Sequence, residues 1–291
     1  MWRNLKKIFL AVLILILSLA SKPEIFAAVN ANEDLPDKAT LSANRMRFDS
    51  KTGDFLADGN VTITAGELKV SAPRGSGNVE RREVNFDQGI SASGKWQGEK
   101  INFTAGKLAL TFNDVPTCKF QNGVKGTIGT MLLDADRLTL IGTGGFASPT
   151  PQDRQTKFWL VKVRNLEDRS QGVSFSADSV EGVMRQGNVH DLTAKNRVLL
   201  KGKPKAKDQA VTLRGDSAVY SLERGSVVVN GHVTAVQGGR TLRSSSIVYF
   251  PAQNRVEALG GVSKKKDGST TTERAEITID LSREKGGKKS K

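Results

Sequence analysis

Apolar and polar positions alternate with period two along much of the chain. Phe55, Ala57, Gly59, Val61, Ile63 and Ala65 share one parity, with Leu56, Asp58, Asn60, Thr62 and Thr64 on the other. Neighbouring side chains of a strand point to opposite faces, so the pattern predicts one strand, or two strands bent at the glycine, with a packed and a wetter face. Ala65-Gly66 predicts a turn, after which Leu68 and Val70 resume the packed face. Further short strands are predicted around residues 84–86 and 90–92, through Ile101, Phe103 and Ala105, and through Leu108 and Leu110. Ala105-Gly106-Lys107 then reads as a hairpin connection, and Gly75-Ser76-Gly77 as another hairpin feature. In KFWLVKVR, residues 157–164, the pattern sets Phe158, Leu160 and Lys162 opposite Trp159, Val161 and Val163. Later strands are predicted through Ile247 and Tyr249, through Val256 and Ala258, and through Ala275, Ile277 and Ile279.

The alternation repeats as a block. Residues 41–70, LSANRMRFDSKTGDFLADGNVTITAGELKV, return as LRGDSAVYSLERGSVVVNGHVTAVQGGRTL at an offset of 172 (213 − 41). That offset lays Leu41 over Leu213, Phe48 over Tyr220, Gly53 over Gly225, Gly59 over Gly231 and Val61 over Val233. A partial copy, FSADSV from Phe175, matches the stretch beginning at Leu213 at an offset of 38 (213 − 175). Repeated β-units predict an elongated sheet that grows by stacking. The fold class expected is all-β, an open jellyroll of repeated short antiparallel strands. Residues 38–145 form a first unit and 157–282 a second. Residues 146–156, FASPTPQDRQT, form a linker or long loop, and 283–291 a basic tail.

Composition supports strands over helices. The 291 residues include 29 glycines and 8 prolines, and glycine weakens helix interiors while reaching the backbone angles of tight turns. The N-terminus differs from the rest. Three bases in residues 1–7 precede the apolar run IFLAVLILILSLA, too short for the roughly 20 residues that cross hydrocarbon. Residues 1–31 read either as a signal peptide, cleaved after Ala20 or between Ala28 and Ala31, or as an uncleaved inner-membrane anchor; either exports the rest.

The formal charge of +14 is partly local, concentrated in residues 1–7, 264–266 and 283–291. What remains favours a polyanion such as a phosphorylated glycolipid or an anionic membrane face. Nucleic acid is not expected, because Trp96 and Trp159 with their lysines read as ordinary β-surface.

Candidate chemistry is sparse. Cys118 has no second thiol and no neighbouring histidine, so neither a disulfide nor a Cys–His pair is expected, and with only His190 and His232 the chain lacks a zinc set. Asp49, Asp58, Asp178 and Asp216 read as turn or strand-start carboxylates, and no phosphate loop is present. The expectation is a non-enzyme without cofactor or metal.

An open repeated sheet offers a different function. If its packed face is not filled by its own side chains it forms a trough for acyl chains, whose burial stabilises by about 0.8 kcal/mol per CH₂. The inward candidates are Phe48, Val61, Ile63, Leu68, Val70, Leu213, Tyr220, Val233, Ala235, Leu242, Ile247 and Tyr249. The competing reading is that they make a closed core.

Leu41-Ser-Ala43, the aromatic Phe48 seven residues on, and Gly59-Asn60-Val61 leading into a renewed strand together resemble the OstA-like family of lipopolysaccharide export proteins. The family includes bridge (LptA), anchored (LptC) and translocon-domain (LptD) members. The resemblance is clearest over residues 41–70 and 213–261 and weaker over 175–202. It implies a taco-shaped β-jellyroll with acyl chains on its inner face and stacking through edge strands. It also implies lipopolysaccharide or a related envelope glycolipid as ligand, and a periplasmic location. The partners implied are inner-membrane lipopolysaccharide transporter components, which would supply the energy, an outer-membrane LptD-like translocon, and further copies bound edge to edge. Arg45, Arg47, Lys69, Arg240 and Arg243 are then candidates for anion contacts at the rim. A structural or adhesive β-repeat protein of the envelope is the alternative.

Overall fold

The computed structural model describes residues 39–279, except 97, 114, 144–154, 186–187, 203–208, 260, 265–269 and 274. The expected signal or anchor segment and the basic tail lie outside the described residues, as does most of the expected linker.

The chain runs back and forth as one antiparallel meander. Its strands are β1 (Ala39–Ser42), β2 (Arg45–Phe48), β3 (Asp54–Ala65), β4 (Leu68–Asn78), β5 (Glu83–Trp96), β6 (Glu99–Thr111), β7 (Thr117–Ile128) and β8 (Met131–Thr143). They continue as β9 (Gln155–Asp168), β10 (Val173–Arg185), β11 (Asn188–Gly202), β12 (Val211–Ser221), β13 (Ser226–Gln237), β14 (Arg240–Phe250) and β15 (Arg255–Leu259). β16 (Gly261–Lys264) and β17 (Thr270–Glu273) form a separate hairpin, and β18 (Glu276–Ile279) pairs with β14. Among the described residues the main sheet has 16 strands, of which 14 lie in the order β1, β3, β4 and on to β15, while β2 also pairs with β3 and β18 with β14; the two ends of this path do not meet. The sheet is therefore open. β8 and β9, on either side of residues 144–154, are direct ladder neighbours, from Met131 opposite Asp168 to Thr143 opposite Gln155.

From β3 to β14 the strands are 11 to 15 residues long, because each runs through a mid-strand irregularity instead of stopping there. In β3 the residues between Asp58 and Val61 face a shorter step, Arg74 to Ala72, on β4. The same one-residue excess recurs in β5, β7, β9, β11 and β13. Such bulges bend a strand and increase its twist. Five of the six contain two consecutive residues at positive φ: Gly59-Asn60, Gln88-Gly89, Asn122-Gly123, Asn196-Arg197 and Gly231-His232; β9 has Lys162 alone. Lined up across the ladder, they make a crease that divides every long strand into two limbs.

The crease corrects three sequence expectations. Ala105-Gly106-Lys107 lies inside β6 and Gly75-Ser76-Gly77 inside β4, so neither is a hairpin. At Lys162 the alternation slips by one residue, so Val163 joins Phe158 and Leu160 in the interior while Lys162 faces out. Gly75, Gly77 and Gly106 serve close approach instead of a turn, since an added Cβ would stand 3.0 Å from Val61, 2.1 Å from the Glu83 carbonyl and 2.7 Å from Asn122 respectively, and local sequence does not separate the two needs.

Asp58, Asp178 and Asp216 likewise sit at the crease and not at turns. Arg74 Nε reaches Asp58 at 3.0 Å, Lys107 reaches Asp87 at 3.1 Å, Lys162 reaches Asp136 at 3.4 Å, Arg197 pairs with Asp178, and His232 Nδ1 lies 3.2 Å from Asp216. Asp49 does cap a turn, accepting from the Lys51 amide at 2.8 Å.

Candidate functional site

The crease turns the inward faces of the two limbs toward each other. The first limb carries the turns after β3, β5, β7, β9, β11 and β13, and the second carries those after β4, β6, β8, β10, β12 and β14. Their inward residues form one apolar cluster from Phe55 to Tyr249. Among the described residues no ladder links limb to limb; across the interior the limbs meet through side chains.

Ten of the twelve inward candidates are buried, and Phe48 and Leu242 are half-buried against the same cluster. They form two groups and not one. Phe48, Val61, Ile63, Leu68 and Val70 line the N-terminal end, and Leu213, Tyr220, Val233, Ala235, Leu242, Ile247 and Tyr249 the C-terminal end. Between them stand the inward faces of β5 to β11, including Phe86, Phe103, Phe120, Leu138, Phe158 and Leu160, which the repeat pattern did not single out. Period-two alternation within each of those strands was the signal that could have found them.

Burial is uneven along this face. In the middle the limbs pack closely, and the gap lined by Met131, Leu166, Val173, Phe175 and Tyr220 measures about 10 Å³. At the edges the same apolar face is only half covered, at Leu41, Ala43 and Phe48 on one end and Leu242, Val256 and Ala258 on the other.

At the C-terminal end the limbs also share hydrogen bonds. Tyr249 reaches from the second limb to Gly202 on the first, where an added Cβ would stand 2.0 Å from the tyrosine hydroxyl. That hydroxyl donates to Asn254 Oδ1 at 3.4 Å, Asn254 Nδ2 donates to the Gln209 carbonyl at 3.0 Å, and Gln237 Nε2 donates to the Asn254 carbonyl at 3.4 Å. Asn254 follows a short 3-10 turn, Pro251–Gln253, in the left-handed conformation at φ 47°.

The five expected rim cations are all exposed, and none has an ion-pair partner among the described residues. They do not converge. Arg45 and Arg47 lie on the outer face of the second limb at the first edge, Lys69 and Arg243 on the outer face of the first limb at opposite ends. Arg240 alone takes an inward position, the one that Leu68 occupies in the first copy, and stands at the C-terminal mouth. Cys118 is a strand residue, buried between Leu110 and Leu140, and burial pushes its thiol well up from the ordinary range. Among the described residues no cluster of three or more His, Cys, Asp or Glu could hold a metal.

The family model for LptA/(LptD N-terminal domain) LPS transport proteins matches residues 104–255, more than half of the 291-residue chain. The chain belongs to this family. The match covers β7 to β14 whole and thus includes both limbs and the C-terminal group of inward residues. Among solved structures the chain is similar to LptH of Pseudomonas aeruginosa, described as the LptA homologous periplasmic component of the conserved lipopolysaccharide transport device. That likeness has 13% identity, 83% coverage of this chain, 94% coverage of the other and a TM-score of 0.24. No curated protein matches the chain. The family match takes in the resemblance read at residues 213–261 as far as residue 255 and does not reach the one read at 41–70; the open antiparallel sheet is the fold expected of the family.

Proposed function

We propose that the protein is a non-enzymatic carrier or bridge that moves lipopolysaccharide across the periplasm, holding its acyl chains between the two limbs. The observation that carries this reading is an apolar cluster that runs along the inner face from Phe55 to Tyr249 and is only half covered at both edges. A chain entering at one edge meets the same surface until it leaves at the other.

The packing in the middle is compatible with this use because of what joins the limbs. Backbone ladders hold the crease, while side-chain contact holds the interior. Parting the limbs breaks no ladder, and acyl chains replace the apolar contacts that the limbs give up, so the exchange is close to balanced in buried area. No directional bond ties the apolar residues to the lipid, which suits transfer better than storage. Energy for one-way movement would come from an inner-membrane transporter, and delivery would pass to an LptD-like outer-membrane partner through edge strands whose backbone groups are unpaired. An uncleaved N-terminal segment would tether the carrier to the inner membrane, and a cleaved one would release it.

Photo-crosslinkers placed at Val61, Ile63, Val233 and Ala235 test the reading in intact envelopes. Lipopolysaccharide adducts are expected from both ends of the interior. Absence of adducts from all four positions, with the protein folded and exported, would favour the structural alternative, in which the same residues only fill a core.

A further inference from the structure

We propose that Tyr220 and Asp168 form a polar station within the apolar interior that recognises a hydroxyl group on an acyl chain. The proposal rests on the lipid-carrying reading and adds to it a position at which one kind of chain is told from another.

The two residues face each other from opposite limbs. Tyr220 lies near the end of β12 on the second limb, in register with Leu192 and Val227. Asp168 ends β9 on the first limb, in register with Met131 and Val173. Both line the gap of about 10 Å³ between the limbs.

Tyr220 is 4% exposed, and its hydroxyl has no hydrogen-bond partner. Burial, with the Asp168 charge beside it, pushes the phenol up to about 12, so it keeps its proton and remains a donor. One oxygen of Asp168 is engaged, accepting from the Ser170 amide at 2.9 Å and the Ser170 hydroxyl at 2.7 Å. The Gln171 amide reaches the same oxygen at 3.4 Å, so the second oxygen takes part in none of these three bonds.

An unpaired phenol inside an apolar packing is unfavourable, and nothing in the packing requires it. The first copy of the repeat shows as much, because the residue 172 positions earlier is Phe48, inward and packed on the same cluster without a hydroxyl. The chemistry of the pair selects its ligand. A hydroxyl accepts from the phenol and donates to the carboxylate at once, and it is the smallest group that does both. A carbonyl accepts only and leaves Asp168 unmet, while a phosphate or carboxylate is repelled by it. The gap is near the size of one water oxygen, which suits a hydroxyl branching from a chain that has parted the limbs.

The test compares binding of dodecanoic acid with its 2-, 3- and 12-hydroxy forms to the full chain, by displacement of a fluorescent fatty acid. Wild type is expected to prefer at least one hydroxylated form by about fivefold or more, the range of one well-made buried hydrogen bond. Tyr220→Phe should lose the preference, so that plain and hydroxylated dodecanoic acids bind alike, and should melt no lower than wild type. Asp168→Asn, which keeps the acceptor used by Ser170, should reduce the preference as well. Equal binding of all four acids by wild type, or a preference that survives Tyr220→Phe, would overturn the station while leaving lipid carriage intact. If wild type binds none of the four, lipid carriage itself fails and the station with it.

Discussion

The two copies of the repeat keep one backbone and exchange its side chains. β3 and β4 coincide residue for residue with β13 and β14 at the offset of 172, from Asp54 over Ser226 to Asn78 over Phe250. The bulges share their angles, Gly59 at φ 77° with Asn60 at 50°, Gly231 at 81° with His232 at 48°. The turns after β4 and β14 share theirs, with Arg82 at 55° and Asn254 at 47°. Side chains differ where each copy meets different neighbours. In the first, Phe55 lies over Gly77, so close that a Cβ on the glycine would stand 2.7 Å from the ring; the matching pair in the second is Val227 and Tyr249. The bulk has moved from one strand to its neighbour. From β14 that bulk reaches Gly202 on the opposite limb, whereas Phe55 stays over its own ladder partner. Local geometry is thus inherited, while contact across the interior is settled separately at each end.

The largest effect should come from that exchanged bulk. Tyr249→Ala empties the contact with Gly202 and should destabilise by about 3–5 kcal/mol in chemical denaturation, the range for deleting a buried aromatic. Copying the first arrangement, with Val227→Phe and Tyr249→Gly together, should recover only part of the loss, since the introduced phenyl ring would fill the ladder but not the space on the other limb. Full recovery would show that the second copy is no more dependent on cross-limb contact than the first.

Next come the bulge glycines. Gly59→Ala and Gly231→Ala each force a Cβ into the left-handed region, about 1–2 kcal/mol, and should lower the denaturation midpoint by similar amounts. The Cβ in the second meets Asp216 at 2.2 Å and in the first Asn44 at 2.9 Å, so any difference should make Gly231→Ala the worse. The reverse order would break the equivalence of the two creases.

The turn residues sharpen the contrast between the ends. Asn254→Gly keeps the left-handed turn and removes the bonds to Gln209 and Tyr249, a loss of about 0.5–1.5 kcal/mol, and should speed hydrogen exchange at the C-terminal mouth. Arg82→Gly in the matching turn removes no bond between limbs and relieves a left-handed non-glycine, so it should be neutral or stabilising.

The smallest effect belongs to the crease carboxylates. Hydrogen bonding to Arg164 above all, then to Lys162, holds Asp136 below the usual aspartate range. A depressed folded value means that the stabilisation is present above the unfolded pKa and is lost as pH falls through the folded one. Melting temperature should therefore fall on acidification below about pH 4, and Asp136→Asn should sit slightly below wild type at neutral pH and converge with it in acid.

Much of this architecture was legible in the alternation. Phe55 to Ala65 read correctly as one packed face because the bulge in β3 sets Ala57 and Val61 four residues apart and preserves parity. β6 was misread because Ala105 and Leu108 point inward only three apart, which a strand without a bend does not permit. The two copies of the repeat hold all the inward candidates, and the middle strands, equally inward, lie between them. Contacts between limbs left no trace in local pattern: Tyr249 over Gly202, Asn254 with Gln209, and Tyr220 opposite Asp168 join positions that only the closed crease brings near. The rim cations shared composition and not location.

The extra residue in odd-numbered strands sets the unit in which this architecture can be lengthened or shortened. A single added strand would reverse the polarity of all that follow and put a bulged strand where an unbulged one belongs, so the crease would lose its line. Whole hairpins avoid both faults. With neighbouring strands 4.7–4.9 Å apart, each hairpin advances the sheet by roughly 10 Å. Reach across a gap between membranes would then be graduated like a ruler, in fixed steps and never in fractions of one.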